Sequence, residues 1–350
     1  MRGHTSDGVG GVAFFNDGRR AVTGSWDKTL RIWNVQEGTL LGEPLQGHQG
    51  SVFSVAVSPD DKRIASGGED STVIVWDVET RQIVFKLVKY SGRANCVCFS
   101  PDGKTLASGS GDGTTVIWDT KTGADLTTLI AEDWLSSVYS VAFSPDGLKL
   151  ASGILDGIIL VYSTKNSKLL HKFKAHENWV CGIVWSPDGQ QLISVSHDKT
   201  VKFWSSSTGR QIGQPCTGHT DWIKSLAIAS DGSFIATASY DKTVRLWSTK
   251  TYQEIGQPLE YSNRVQCVAI STNGALLASG AWDGNLYLWS IGNTLRYQDG
   301  QQGYNVKVFI LRHWRFDRLI SIHHNSLQHQ DHKEEQYTLT RNHPSSLDGP

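Results

Sequence analysis

The chain reads as an all-β ring, in which seven thin antiparallel sheets stack radially because none can bury both of its own faces. Three observations carry that reading. A large aromatic returns every 42–44 residues, Asp stands six residues before each return, and a hydroxyl side chain stands four residues before each Asp. Between these markers run short apolar/polar alternations separated by Pro-Asp-Gly and Asp-Gly turns, the signature of hairpins. A fixed period near 43 residues is the mark of a repeat architecture.

The aromatics are Trp33, Trp76, Trp118, Tyr162, Trp204, Trp247 and Trp289. The carboxylates are Asp27, Asp70, Asp112, Asp156, Asp198, Asp241 and Asp283, and the hydroxyls are Thr23, Ser66, Ser108, Ser152, Ser194, Thr237 and Ser279. The unit at 137–163, "SVYSVAFSPDGLKLASGILDGIILVYS", shows the local logic. One alternating strand ends at Pro-Asp-Gly, a second ends at Asp-Gly, and a third runs apolar into the aromatic. A further strand such as "EIGQPL" (254–259) leads to the next unit, giving four strands per repeat. The repeats lie near 3–35, 47–78, 90–120, 134–164, 175–206, 218–249 and 261–291.

Composition bounds the function. The 350 residues are 39% hydrophobic and 19% charged, a globular balance that rules out a wholly disordered or coiled-coil chain. With 33 basic and 34 acidic side chains, no global excess of charge announces a nucleic-acid surface. The N-terminus has no apolar leader and the longest apolar runs are strand-length, so no membrane span is expected. Five cysteines (Cys96, Cys98, Cys181, Cys216, Cys267) form no Cys-x-x-Cys pair and are expected to be reduced, in an intracellular and cytoplasmic or nuclear protein.

With these motifs in place, the chain resembles the WD40-repeat β-propeller family across residues 3–291. Gly3-His4, Gly47-His48, Ala175-His176 and Gly218-His219 match the family's Gly-His, and Trp76-Asp77 and Trp118-Asp119 match its closing Trp-Asp. Phrases such as "SGSGDGTTVIWD" look like the WD40 arrays of fungal and bacterial β-transducin-like proteins, some of which carry NACHT domains. The resemblance implies a seven-bladed propeller whose blades hold a buried His–Ser/Thr–Asp–Trp tetrad. Four blades carry all four residues: His4-Thr23-Asp27-Trp33, His48-Ser66-Asp70-Trp76, His176-Ser194-Asp198-Trp204 and His219-Thr237-Asp241-Trp247. Blades three and seven place Tyr90 and Tyr261 at the His position and blade four places Trp134 there, so these three are expected to be less stable.

Ser, His and Asp recurring together invite a hydrolase reading. A catalytic triad occurs once, with an exposed nucleophile, whereas this constellation repeats at structural register and no G-x-S-x-G elbow is present. "GSGDGT" (109–114) opens no helix and is a turn. No metal is expected, because the histidines of the C-terminal stretch have no Cys partner and no H-E-x-x-H spacing. No cofactor is expected either.

The resemblance implies that partners dock on the face bearing the residue before each tetrad Asp and the residues at the start of each first strand. On blades five, six, seven and one those positions hold Trp179, His197, Trp222, Lys224, Tyr240, Arg264, Trp282 and Trp26. Trp, Tyr and Arg are enriched at binding hot spots, so these eight are the candidate partner-binding arc. The expected function is a non-catalytic scaffold for other proteins or peptides, as a monomeric propeller or a subunit of a larger complex. Alternatives are a ubiquitin-ligase substrate receptor and an enzyme using the central channel. The first has only Trp118-Asp119-Thr120-Lys121 near the W-D-x-R motif of such receptors, and the second has only Glu69 as an acidic pre-Asp residue.

Only Met1 and Arg2 precede Gly3-His4, so the outer strand of blade seven is expected from the C-terminal side. "TLRYQ" (294–298) is favoured over "VKVFIL" (306–311) because its offset from Trp289 is nearer that of the other linking strands. The propeller is thus drawn over 1–298. Residues 299–350, rich in Gln and His, are read as a partly or wholly disordered tail.

Overall fold

The computed structural model describes residues 3–5, 8–130 and 136–291, together with the backbone of strands at 305–311 and 320–323. Seven antiparallel sheets follow one another in chain order, each running from an innermost strand at the axis to an outer strand at the rim. In blade one the three inner strands are Val9–Phe14, Arg20–Ser25 and Thr29–Asn34. The turns form as their residues dictate. In blade three, Ser100 Oγ donates to Asp102 Oδ1 (2.7 Å), Gly103 N donates to Ser100 O (2.9 Å), and Gly103 takes φ 69°.

The core lies between blades rather than within them. Each of seven apolar clusters joins two neighbouring sheets, as where Val22, Leu30 and Ile32 of blade one meet Val52, Ile64 and Ile74 of blade two. The ring closes by the same packing, with Val9, Val12 and Phe14 against Cys267, Leu286 and Leu288. Full burial of each such aliphatic side chain contributes roughly 1.5–3 kcal/mol. Closure needs Gly280, because a Cβ there would lie 2.6 Å from Val9 Cβ.

One irregularity repeats in all seven blades. The innermost strand carries a bulge one residue after its start, so that Gly10, Phe53, Asn95, Tyr139, Cys181, Lys224 and Gln266 each have no partner in the ladder. A bulge bends the strand and re-aims its extra side chain. Here all seven extra residues line the mouth of the central channel.

Blade seven corrects the expectation about its outer strand. Asn305–Leu311, not 294–298, pairs with Leu286–Ser290, and Ile320–His323 adds a fifth strand beyond it. The sheet therefore continues past 298. The physical reason is composition: 305–311 carries Val306, Val308, Phe309 and Ile310, a run of strong strand formers that outweighs the shorter link offered by 294–298. Residues 294–298 and 324–350 lie outside the described residues.

Candidate functional site

The site rests on a rigid frame of buried polar networks. In blade one, His4 Nδ1 lies 2.8 Å from Asp27 Oδ2 and His4 Nε2 lies 2.7 Å from Thr23 Oγ1, which also accepts from Trp33 Nε1 at 2.9 Å. The same chain runs through His48, Asp70, Ser66 and Trp76 in blade two, with the Trp–Ser bond at 2.9 Å. Blades five and six repeat it, with His176–Asp198 at 2.8 Å and His219–Asp241 at 2.7 Å. A neutral His satisfies every partner: Nδ1–H donates to the carboxylate, Nε2 accepts the hydroxyl proton, and the hydroxyl oxygen accepts the indole N–H. Burial holds His4, His48 and His176 below their usual pKa, outweighing the neighbouring carboxylates. Burial alone would raise Asp27, Asp198 and Asp241, but hydrogen bonds from His, Thr and backbone donors hold them well below the carboxylate range.

Where His is missing, other donors serve. Tyr90 and Tyr261 reach Ser108 Oγ and Ser279 Oγ, each at 2.5 Å. Asp283 accepts from Tyr287 OH (2.5 Å), and Asp156 accepts from Ser136 Oγ (2.5 Å). Tyr162 is buried at the aromatic position of blade four, and Trp134 lies outside the described residues.

On this frame each blade presents two loop residues side by side. The backbone N–H of the residue before the tetrad Asp donates to the loop that leads into the innermost strand. His197 N bonds Trp179 O (3.1 Å), Tyr240 N bonds Trp222 O (2.9 Å), Trp282 N bonds Arg264 O (3.0 Å) and Trp26 N bonds Gly8 O (3.2 Å). Asn178 and Asp221 accept from the N–H of Trp179 and Trp222 at 2.9 and 2.8 Å, fixing the approach of both indoles.

These residues then meet across blade boundaries as one continuous aromatic arc. Ring centroids are 4.9 Å apart for Tyr139–Trp179, 4.7 Å for Trp179–His197 and 4.3 Å for His197–Trp222, all three stacked. The arc continues through Trp222–Tyr240 (5.9 Å), Tyr240–Trp282 (5.1 Å) and Trp282–Trp26 (5.3 Å). Each such pair adds about 0.5–1.5 kcal/mol beyond its buried area, so the arc is held stiff in advance of any ligand. The guanidinium of Arg264 covers Tyr240 at 5.0 Å and Trp282 at 4.9 Å. Lys224 Nζ sits 3.1 Å from His197 Nε2 and 5.5 Å from the Tyr240 centroid.

All eight candidate residues thus fall together, in unequal roles. Trp222 is 43% exposed and Arg264 is exposed, whereas His197 is 4% exposed, sandwiched between two indoles as a neutral spacer. Burial first, then the charge of Lys224, lowers the His197 pKa to about 3, leaving Nε2 free to accept from the ammonium. Burial likewise pushes Tyr240 up to about 12, so it stays a phenol, donating to Gln266 Oε1 at 2.9 Å. Two members fall outside the eight. Tyr139 starts the arc and Gln266 ties Tyr240 to Trp282, and both occupy in their own blades the bulge position that Lys224 holds in blade six.

The channel mouth encloses about 520 Å³ and is lined by the bulge residues with Trp26, Trp179, Tyr240 and Arg93. Among the described residues no group of three His, Cys, Asp or Glu side chains could hold a metal ion, and no helix is long and apolar enough to cross a membrane.

Comparison with known proteins agrees with this architecture. Residues 52–224 match the model of the second β-propeller of echinoderm microtubule-associated protein, and residues 1–34, 210–248 and 255–290 match the WD domain, G-beta repeat. Short segments are similar to curated proteins. One is 40% identical over 45 residues to nuclear distribution protein nudF of Aspergillus niger, and another is 44% identical over 46 residues to the nudF of Emericella nidulans. A third is 40% identical over 42 residues to Lissencephaly-1 homolog 1 of Paramecium tetraurelia. These matches span 12–13% of this chain and 10% of each relative. Seven antiparallel blades in chain order, their buried networks and both family models lead to one conclusion: the chain belongs to the WD40-repeat β-propeller family.

Proposed function

We propose that this propeller is a non-catalytic scaffold that docks other proteins on the face around its channel mouth, through the arc from Trp179 to Trp26. The observation that carries the reading is the unbroken run of seven rings, Tyr139 to Trp26, across five neighbouring blades. A rigid aromatic surface with one indole open to solvent and a cation beside it has the composition of a binding hot spot. Stiffness also lowers the entropy lost on association. The curated relatives named for nuclear distribution are matched over a tenth of their length. Five thiols, none paired with another, fit an intracellular setting for that role.

The ubiquitin-ligase reading gains no specific support. Lys121 stands where the W-D-x-R motif has Arg, and Thr120 uses its hydroxyl on Gly103 O at 2.7 Å, within its own blade. Trp222→Ala combined with Trp282→Ala should abolish capture of the native partners while the variant stays folded. An unchanged partner profile in affinity purification with mass spectrometry would sink the docking face. Recovery of cullin components by the unmodified protein would promote the receptor reading instead.

A further inference from the structure

We infer that the partner segment bound at this face is an acidic peptide, whose carboxylates meet the cations around the arc while an apolar side chain lies on Trp222. The inference rests on the docking reading and adds the chemistry of the ligand.

Two observations carry it independently. The first is at the centre of the arc. Arg264 and Lys224 both lie over Tyr240, at 5.0 and 5.5 Å, and neither forms an ion pair with a carboxylate of a described residue. Two cations held against a low-dielectric aromatic surface make a site for anions, because screening by water is reduced there.

The second is at the rim. The turn that follows each tetrad Asp needs a left-handed residue, and blades three, four and seven supply Gly113, Gly157 and Gly284. Blades one, five and six instead place lysines there: Lys28 at φ 72°, Lys199 at φ 71° and Lys242 at φ 69°, all exposed. A lysine is disfavoured in that conformation and glycine is not. Blade two, which lies off the arc, places Ser71 there at φ 63°; the three disfavoured residues on the arc blades are all cations, and each lies two positions after an arc residue (Trp26, His197 and Tyr240). Strain kept at one edge of a candidate site points to function there.

The loops of blades five to one therefore carry five described cations. Beyond the carboxylates of the buried networks, of which Asp27, Asp198 and Asp241 are bonded to His and Asp283 to Tyr287, their described acids are Glu177 and Asp221, and Asp221 is engaged at the N–H of Trp222. A protein segment fits better than single-stranded nucleic acid. Strand binding uses successive open ring faces, whereas here Trp222 is the one largely exposed ring and its neighbours cover one another.

Fluorescence anisotropy tests this with three labelled probes: a short peptide of alternating Glu and Leu, its Lys and Leu counterpart, and oligo-thymidylate. The acidic peptide should bind, more weakly as salt rises. Arg264→Gln should weaken it by about tenfold or more. The triple variant Lys28→Gly, Lys199→Gly and Lys242→Gly should also weaken it, while its melting temperature holds or rises because the turns relax. Equal binding of the Lys peptide or of oligo-thymidylate overturns the inference, as does full affinity in the triple variant. If the acidic probe fails to bind while the Trp222→Ala/Trp282→Ala pair still loses the native partners, the docking face stands and its acidic specificity falls.

Discussion

At the scale of single residues, the strongest constraint is a buried carboxylate that must be matched by donors. Asp198 accepts from His176 Nδ1 (2.8 Å), from Thr200 Oγ1 (2.6 Å) and from the N–H groups of Thr200 (3.0 Å) and Glu177 (3.2 Å). Asp198→Ala removes the acceptor and strands these groups, which should cost about 2–4 kcal/mol. Equilibrium denaturation measures it, and a loss under about 0.5 kcal/mol would show that the network does not hold its blade. The recurring aromatic, Asp and hydroxyl are legible from spacing, and their joining with His into a buried tetrad is legible through the resemblance to the WD40 family. The role of His197 is not. Its position named it a contact residue, but only packing shows that two indoles cover both of its faces.

At the scale of elements, the inner three strands of each blade were legible and the outer strands less so. The inner ones alternate regularly between fixed turns. Outer strands face fewer neighbours, and in blade one Gly42 and Pro44 split the outer strand into Thr39–Leu40 and Leu45–Gln46. Blade seven shows the consequence, since counting residues from Trp289 selected 294–298 whereas strand propensity selects Asn305–Leu311. Truncation after Ile291 would leave Leu286–Ser290 as an unpaired edge. The truncated protein should lose about 5 °C or more in melting temperature and self-associate. Differential scanning calorimetry with light scattering checks this, and an unchanged midpoint with a monomeric profile would mean that the outer strand contributes little. The bulges were also illegible, for a bulge is a relation between two strands. They explain why the residue at this one position of every blade reaches the channel mouth.

At the scale of the whole molecule, the networks act together on pH. His4, His48 and His176 have folded-state pKa values below the ordinary 6.5, so below that pH the unfolded chain binds protons that the native state does not. Stability therefore falls as pH drops through 6.5. Asp27, Asp70, Asp198 and Asp241 are also depressed, and their contribution is lost further as pH falls below the ordinary 3.8. Both groups act in one direction. Denaturant midpoints should be level between about pH 7 and pH 8 and decline from about pH 6.5 downward. A midpoint that rises between pH 7 and pH 5 would contradict neutral tetrad histidines.

The ring also explains how the arc arises. Each blade contributes two adjacent loop residues, and closure of blade seven on blade one through Val9 and Gly280 brings Trp26 within 5.3 Å of Trp282. The central claim is that this arc is where partners dock. Affinity purification from native cells with quantitative mass spectrometry, comparing the unmodified protein with the folded Trp222→Ala/Trp282→Ala variant, tests it most directly. The specific partners should disappear from the variant while its thermal unfolding remains cooperative. The same partners recovered in the same amounts would contradict it.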